Sequence, residues 1–257
     1  MPRRNQTRMN SEILAGKTAV VTGGSSGIGA ACVQLLARHG ARVVIGYNAG
    51  RGRAETLCWN LPGEGHEVAH IPLEEYAMHE STAHSLGERF GAIDILVNSA
   101  GRTQRVPHQD LERMDARLFS DILLANAGGT FSVTRALLPL LEKSGNGVVV
   151  NVSSVSAVTG SGSNIAYCAA KAAMETTARS FARVFGPKVR FLNVAPASVD
   201  TDFVAGRSRE ELEKKAASTP LGRVVTPNDV AQAVLACVTQ LRTATGTRIV
   251  IDGGFTL

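Results

Sequence analysis

Two rhythms alternate along this chain. Seven short runs are apolar at nearly every position and rich in Val and Ile: residues 18–23, 41–47, 67–71, 93–100, 147–154, 189–195 and 248–252. A strand that is apolar on both faces is one covered by helices on both sides, so these runs predict the strands of a mostly parallel sheet. Between them, apolar positions recur at helical spacing near 28–39, 53–60, 78–89, 111–142, 166–185 and 227–241. Gly40 follows the first of these as a C-cap, and Pro227 with Asp229 opens the last.

Strand–helix alternation predicts an α/β fold class with right-handed crossovers, and ligands in such sheets bind outside the carboxyl ends of the strands. The chain has 257 residues with no Pro/Ser-rich linker and no internal repeat. One domain over 12–257 is therefore expected, preceded by a flexible basic tail over 1–11 that carries Arg3, Arg4 and Arg8.

The first strand runs through "TGGSSGIG" into the first helix. Glycines at 23, 27 and 29 let the backbone approach a pyrophosphate, and the helix start offers free N–H groups. Ser25 and Ser26 add hydroxyl donors, and Ile28 lies within the turn. A dinucleotide site built for NAD has an acidic residue about 20 positions on. No acid occurs here between Gly29 and Glu55, and the second strand ends instead in "GYNAGRGR". Tyr47 and Asn48 stand where the acid would be, with Arg51 and Arg53 just beyond. Guanidinium forks welcome the 2′-phosphate that a carboxylate repels, so NADP(H) is expected over NAD(H). The other reading of Arg51 and Arg53 is that they are solvated residues opening a surface helix.

Composition narrows the field further. Hydrophobic residues make up 44% and charged residues 19% of the chain, and no apolar run approaches a membrane span. Net charge is +5, yet no basic stripe with interleaved aromatics is visible, so no nucleic-acid or membrane partner is expected. Cys32, Cys58, Cys168 and Cys237 are far apart, with neither a disulfide framework nor a metal-site spacing. That pattern suits reduced thiols in a cytoplasmic protein and no metal.

Chemistry concentrates in "NIAYCAAKAAM", where Tyr167 and Lys171 share a helix face four residues apart. An unaided tyrosine is a poor acid at neutral pH, and a fixed cation beside it lowers its pKa. Alone the spacing is weak. Ser154, thirteen residues before Tyr167, ends the strand of "VVVNVSSVS" and so emerges where ligands sit. It is a hydroxyl for a substrate oxygen or a turn residue. Asn126 in "LLANAGGTF" is a polar residue in an apolar stretch, a catalytic participant or a structural bend.

With "NSAG", "PASVDTDF" and the closing "VIDGG", these motifs resemble those of the short-chain dehydrogenase/reductase family, over roughly residues 12–257. Within the family the chain is most similar to 3-oxoacyl-[acyl-carrier-protein] reductases and related carbonyl reductases. The resemblance implies a single-domain Rossmann fold and NADP(H)-dependent interconversion of a ketone and a secondary alcohol, carrier-bound acyl groups included. It also implies assembly as a homotetramer or homodimer through the helices near 111–142 and 166–185. Tyr167 would protonate the carbonyl oxygen as hydride arrives. Lys171 would lower its pKa and hold the nicotinamide ribose, Ser154 would polarise the carbonyl, and Asn126 would hold a water linking Lys171 to solvent. Asn98, Ala100 and Gly101 would line the adenosine ribose, and Pro196, Val199 and Thr201 would meet the nicotinamide.

Two positions depart from the family pattern. Pro72-Leu73 replaces the acidic residue that contacts adenine, with Leu73 left beside the base. Ala197 replaces a glycine, at a cost of about 1 kcal/mol if φ there is positive. A catalytically silent cofactor-binding sensor or an interaction subunit on the same fold is the alternative, and intact Ser154, Tyr167 and Lys171 argue against it. The loops 102–110, 155–165 and 197–225, the last with a short lid helix over 208–217, are expected to select the substrate.

Overall fold

The computed structural model describes residues 12–257; the basic stretch 1–11 lies outside the described residues. Seven strands form one parallel sheet: β1 (Thr18–Thr22), β2 (Arg42–Tyr47), β3 (Glu67–His70), β4 (Ile95–Asn98), β5 (Gly147–Val152), β6 (Val189–Pro196) and β7 (Thr247–Ile251). Their order is β3-β2-β1-β4-β5-β6-β7, all neighbours parallel. The chain reverses its direction of winding between β1 and β4, so the crevice at their carboxyl ends is the topological switch point.

Helices cover both faces: α1 (Gly27–Arg38), α2 (Arg51–Trp59), α3 (Tyr76–Phe90), α4 (Ala116–Leu123), α5 (Gly129–Lys143), α6 (Ser156–Thr159), α7 (Ile165–Phe185), α8 (Arg209–Ala217) and α9 (Pro227–Thr239). Strand residues alternate between two cores, as the period of 2 requires. Ala19 and Val21 of β1 join Val33 and Leu36 of α1 and Val230 and Val234 of α9. Val20 joins Leu137 and Leu141 of α5 and Ala178 of α7 on the other face. The capping box of Thr226 and Asp229 starts α9 as its sequence predicts.

The single helix expected over 111–142 is two helices. Asp115 caps α4 by accepting from the backbone N–H of Leu118 at 2.7 Å, so 111–115 are turns. A wide π-helical turn, Leu124–Gly128, then separates α4 from α5. The glycines beside it have a steric reason. A Cβ at Gly129 would lie 2.5 Å from the Leu73 carbonyl oxygen, and one at Gly128 2.7 Å from Tyr76 Oη. The segment after β3 therefore crosses directly over this turn.

On the α5/α7 face, the carboxyl half of the sheet is polar. Asn98, Asn151 and Asn193 stand in register on β4, β5 and β6, each at most 4% exposed. Asn98 Nδ2 donates to Asn151 Oδ1 (2.9 Å) and to Thr134 Oγ1 (3.0 Å), and Asn151 Nδ2 donates to Asn193 Oδ1 (3.1 Å). Asn151→Ala removes the central rung and leaves Asn193 Oδ1 without its donor. A buried orphan of this kind costs about 1–3 kcal/mol. We expect a fall in Tm of roughly 5 °C for a domain of this size; an unchanged melting curve would show that the ladder is dispensable.

Candidate active site

The first βα turn is a backbone cradle. Gly23 follows β1 with φ +63°, and a Cβ there would sit 2.8 Å from Ala100 Cα. A Cβ at Gly29 would sit 2.2 Å from the Gly23 carbonyl oxygen, which no side chain survives. Thr22 Oγ1 accepts from the Ser99 and Ala100 backbone N–H groups, both at 3.1 Å, and so locks the ends of β1 and β4 together. The turn thus keeps its amides bare at the N-terminus of α1, a cradle suited to the pyrophosphate of a dinucleotide.

A cavity of about 1170 Å³ opens from this cradle along the carboxyl edge of the sheet. Of the residues singled out from the sequence, it is lined by Gly23, Ser26, Gly27, Ile28, Gly29, Ala100, Gly101, Ser154, Tyr167, Lys171, Pro196, Val199 and Thr201. Thr201 packs over the cradle, its Cγ2 lying 3.3 Å from where a Cβ of Gly27 would be.

Seven others do not line it. The Asn98 side chain belongs to the buried ladder, and its Oδ1 is buried with no donor among the described residues. Leu73 packs against Gly129. Tyr47 lies against His70, ring centroids 5.4 Å apart, and Asn48 is exposed. Ser25 lies beside Gly50. Arg51 opens α2 but turns to Glu55 one helical turn on, Nε to Oε1 at 2.8 Å. Arg53 lines the cavity instead, its guanidinium folded over buried Gly50, where a Cβ would meet Nη2 at 2.7 Å. The i,i+4 spacing of Arg51 and Glu55 was the signal that Arg51 has a partner of its own.

Asn126, the seventh, sits in the π-turn with no exposed surface. Its Nδ2 donates to the carbonyls of Ile122 and Arg102 (2.8 Å each), and its Oδ1 accepts from the Arg102 N–H at 3.2 Å. The side chain pins the strand-four loop to α4. Gly101 is a glycine because a Cβ would lie 2.8 Å from Asn126 Oδ1. At Ala197 the strain considered above is absent. No described non-glycine residue has positive φ, and the Ala197 N–H bonds regularly to Ile251 O at 3.1 Å. Pro72 is buried and gives its carbonyl to His79 Nε2 at 2.7 Å, so it anchors α3.

Helix α7 carries the centre of the site. Asn164 caps it, accepting from the Tyr167 backbone N–H at 2.7 Å. Lys171 is buried, with Nζ donating to the Val152 carbonyl at 2.7 Å and standing 5.6 Å from the Tyr167 ring centre. Burial pushes the Tyr167 phenol above its ordinary pKa, while the Ser154 hydroxyl and, more weakly, the Arg207 cation pull it back. Burial lowers Lys171 to about 8, against the opposing pull of the Glu175 carboxylate. Ser154 itself is oriented by Ser156, through an Oγ–Oγ bond of 3.0 Å and the Ser156 N–H at 3.1 Å.

Glu175 is a functional residue that the sequence reading passed over. It lies one turn beyond Lys171, accepts from Ser153 Oγ at 2.7 Å, and is clasped by Arg248 of β7 at 2.6–3.0 Å. The carboxylate thus ties β5, α7 and β7 together just beneath the lysine. If Lys171 assists Tyr167 only while charged, activity is present below the lysine's pKa and lost as pH rises through it. Glu175→Gln removes the group that raises this pKa and leaves Arg248 uncompensated, which lowers it further. The alkaline limb of the pH–rate profile should move to lower pH, by on the order of one unit. A limb that stays in place in a folded variant, checked by circular dichroism, would exclude this role.

The comparisons agree with this geometry. Residues 23–256 match the family model described as Enoyl-(Acyl carrier protein) reductase. A 3-oxoacyl-[acyl-carrier-protein] reductase FabG of Chlamydia muridarum is 34% identical over 96% of this chain and 99% of its own length. The cis-4-hydroxycyclohexanecarboxylate dehydrogenase of Sinomonas cyclohexanicum is 32% identical over 95% and 98%. The crystal structure of a short-chain dehydrogenase/reductase from Brucella melitensis, titled SDR:Glucose/ribitol dehydrogenase, superposes with a TM-score of 0.89 at 26% identity, covering 96% of this chain and 99% of that one. With the sheet order, the glycine cradle and the Ser154–Tyr167–Lys171 group, the chain belongs to the short-chain dehydrogenase/reductase family and is an oxidoreductase of the alcohol/ketone type.

Proposed function

We propose that the protein interconverts a ketone and a secondary alcohol with NADP(H). The observation that carries this reading is the placement of buried Lys171 and half-buried Tyr167 on one face of α7 beside Ser154, in a cavity that also contains the glycine cradle. The cradle fits a dinucleotide because close backbone contacts exclude a side chain at Gly23 and Gly29. A bound nicotinamide supplies the hydride.

The protein's part is proton transfer and position. Ser154 Oγ, held by Ser156, donates to the substrate carbonyl oxygen and fixes it against Tyr167. Tyr167 Oη delivers its proton to that oxygen as negative charge develops there. The resulting phenolate is stabilised by the Lys171 ammonium in a place where water does not screen it. In the direction of alcohol oxidation the same atoms work in reverse, with Tyr167 as base.

Preference for NADP(H) rests on Arg53. It lines the cavity, makes no ion pair among the described residues, and no carboxylate stands at the end of β2 to repel a 2′-phosphate. Substrates fall into two classes suggested by the relatives, carrier-bound 3-oxoacyl thioesters and small free ketones or alcohols. Assembly into a homotetramer or homodimer is part of the same reading, supported by the exposed apolar Leu124 and Phe131 along α4–α5.

Two measurements test the proposal. Tyr167→Phe should lose about 10²–10⁴-fold in kcat while NADPH still binds by fluorescence titration; turnover preserved in the variant would refute the assignment. Arg53→Ala should lower the ratio of kcat/KM for NADPH over NADH by roughly tenfold or more, the worth of a charge-assisted contact. An NADH preference in the parent protein would overturn the cofactor reading outright.

A further inference from the structure

The cavity wall includes Arg105, Arg207, Arg209 and Arg223, of which Arg105 and Arg209 are committed to ion pairs. Arg105 is paired with Glu211 of the lid helix α8, Nη1 lying 3.2 Å from each carboxylate oxygen. Arg209 is paired with Asp200 and with Glu213. Arg207 lines the same cavity, is half-buried, and forms no ion pair among the described residues. Among the described residues its guanidinium makes one hydrogen bond, from Nη2 to the Val199 carbonyl, and its Nε–H is buried with no acceptor.

A guanidinium has five N–H donors, so four of them are unspent here. Both neighbouring carboxylates whose charge reaches Arg207, Asp200 and Glu211, are already taken by Arg209 and Arg105. Burial works against the Arg207 cation, and Arg207 lines the same cavity as Tyr167, close enough for their charges to interact. An unpaired, partly desolvated cation facing a catalytic cavity is stabilised by an anion that arrives with the ligand, and a planar fork matches a carboxylate. The cavity lining also includes the small residues Ser161, Gly162 and Ser163.

We propose that Arg207 is a specificity-determining residue that binds a carboxylate carried by the substrate, so that the site takes a free oxo acid, or the corresponding hydroxy acid, in preference to a neutral ketone. This rests on the ketone reductase reading above and narrows it: of the two substrate classes, small free acids fit Arg207 and carrier thioesters leave it unpaired.

The test is a ladder of probes: 2-, 3-, 4- and 5-oxohexanoate, each beside its methyl ester, with S-acetoacetyl-N-acetylcysteamine as a neutral thioester. Reduction is measured with the preferred reduced cofactor, and binding by thermal shift in the presence of the oxidised one. In the parent protein at least one acid should exceed its ester in kcat/KM by on the order of ten- to a hundredfold, the range of a charge-assisted hydrogen-bonded pair. Arg207→Gln should bring that ratio close to one, and Arg207→Lys, which keeps the charge without the fork, should hold it between the two.

An acid/ester ratio unchanged in Arg207→Gln overturns the proposal, as does a parent protein that prefers the esters or the thioester. So does a change in the pH profile with no change in the ratio, since Arg207 would then act only on Tyr167. Absence of turnover on every probe would tell against the reductase reading instead. The binding arm still decides the role of Arg207 in that case: acids must stabilise the parent protein more than their esters do, and the difference must vanish in Arg207→Gln.

Discussion

An ammonium group at Lys171 is taken out of water at the carboxyl end of β5, and a charge moved into such a place must be compensated. Its compensation is layered. The Val152 carbonyl accepts one N–H directly, and the Glu175 carboxylate, one helical turn away, opposes the effect of burial. Glu175 would itself be an unsupported buried charge without Arg248 and Ser153. Arg248 in turn stands in register with Asn193, the last rung of the asparagine ladder. A continuous polar strip thus runs beneath the catalytic helix. Each member is bonded because the one before it is polar, and the chain of necessity begins with the single lysine that the chemistry needs charged.

The strip explains why parts of the site were legible in the sequence and others were not. The five inner strands were visible because both faces of a parallel sheet are buried, which makes their apolar runs continuous, while the edge strands β3 and β7 are only partly buried. The glycine cradle and the Tyr167–Lys171 pair were legible because each constraint is local: a turn no side chain fits, and a helical spacing of four. Glu175 was equally close in sequence, but its meaning depends on Arg248, which lies 73 positions away on another strand. No local pattern announces such a pair. Asn98 misled for the same reason. It ends a strand at the switch point, as a ribose ligand would, yet its parity directs it into the ladder rather than the cavity.

The misplaced helix over 111–142 has a different cause. Its apolar positions keep helical spacing through the π-turn, so periodicity alone reads it as continuous. The interruption is imposed from outside: the segment after β3 crosses at Gly128 and Gly129, and the Asn126 amide takes the Ile122 and Arg102 carbonyls. Tertiary contact, not propensity, sets this turn, and π-turns cluster at functional sites for that reason. Arg51 and Arg53 show the same hierarchy at smaller scale, since a surface partner one turn away drew the first out of the cavity and left the second inside it.

Rigidity is distributed accordingly. Lys171, Ser154 and the cradle are borne by buried strands and by the buried face of α7, where every polar contact is shielded. The substrate side is closed by exposed ion pairs instead, Arg105 with Glu211 and Arg209 with Asp200, whose side chains are 41–58% exposed. Pairs of that kind contribute about 0–1 kcal/mol and weaken with salt. The lid helix α8 is therefore held by the buried Leu212 and Ala216 together with ion pairs that add little. Phe203, tilted against Tyr167 with ring centroids 5.9 Å apart, sits just before this helix. The apolar cover over the phenol is thus carried by the segment that leads into α8 rather than by the sheet.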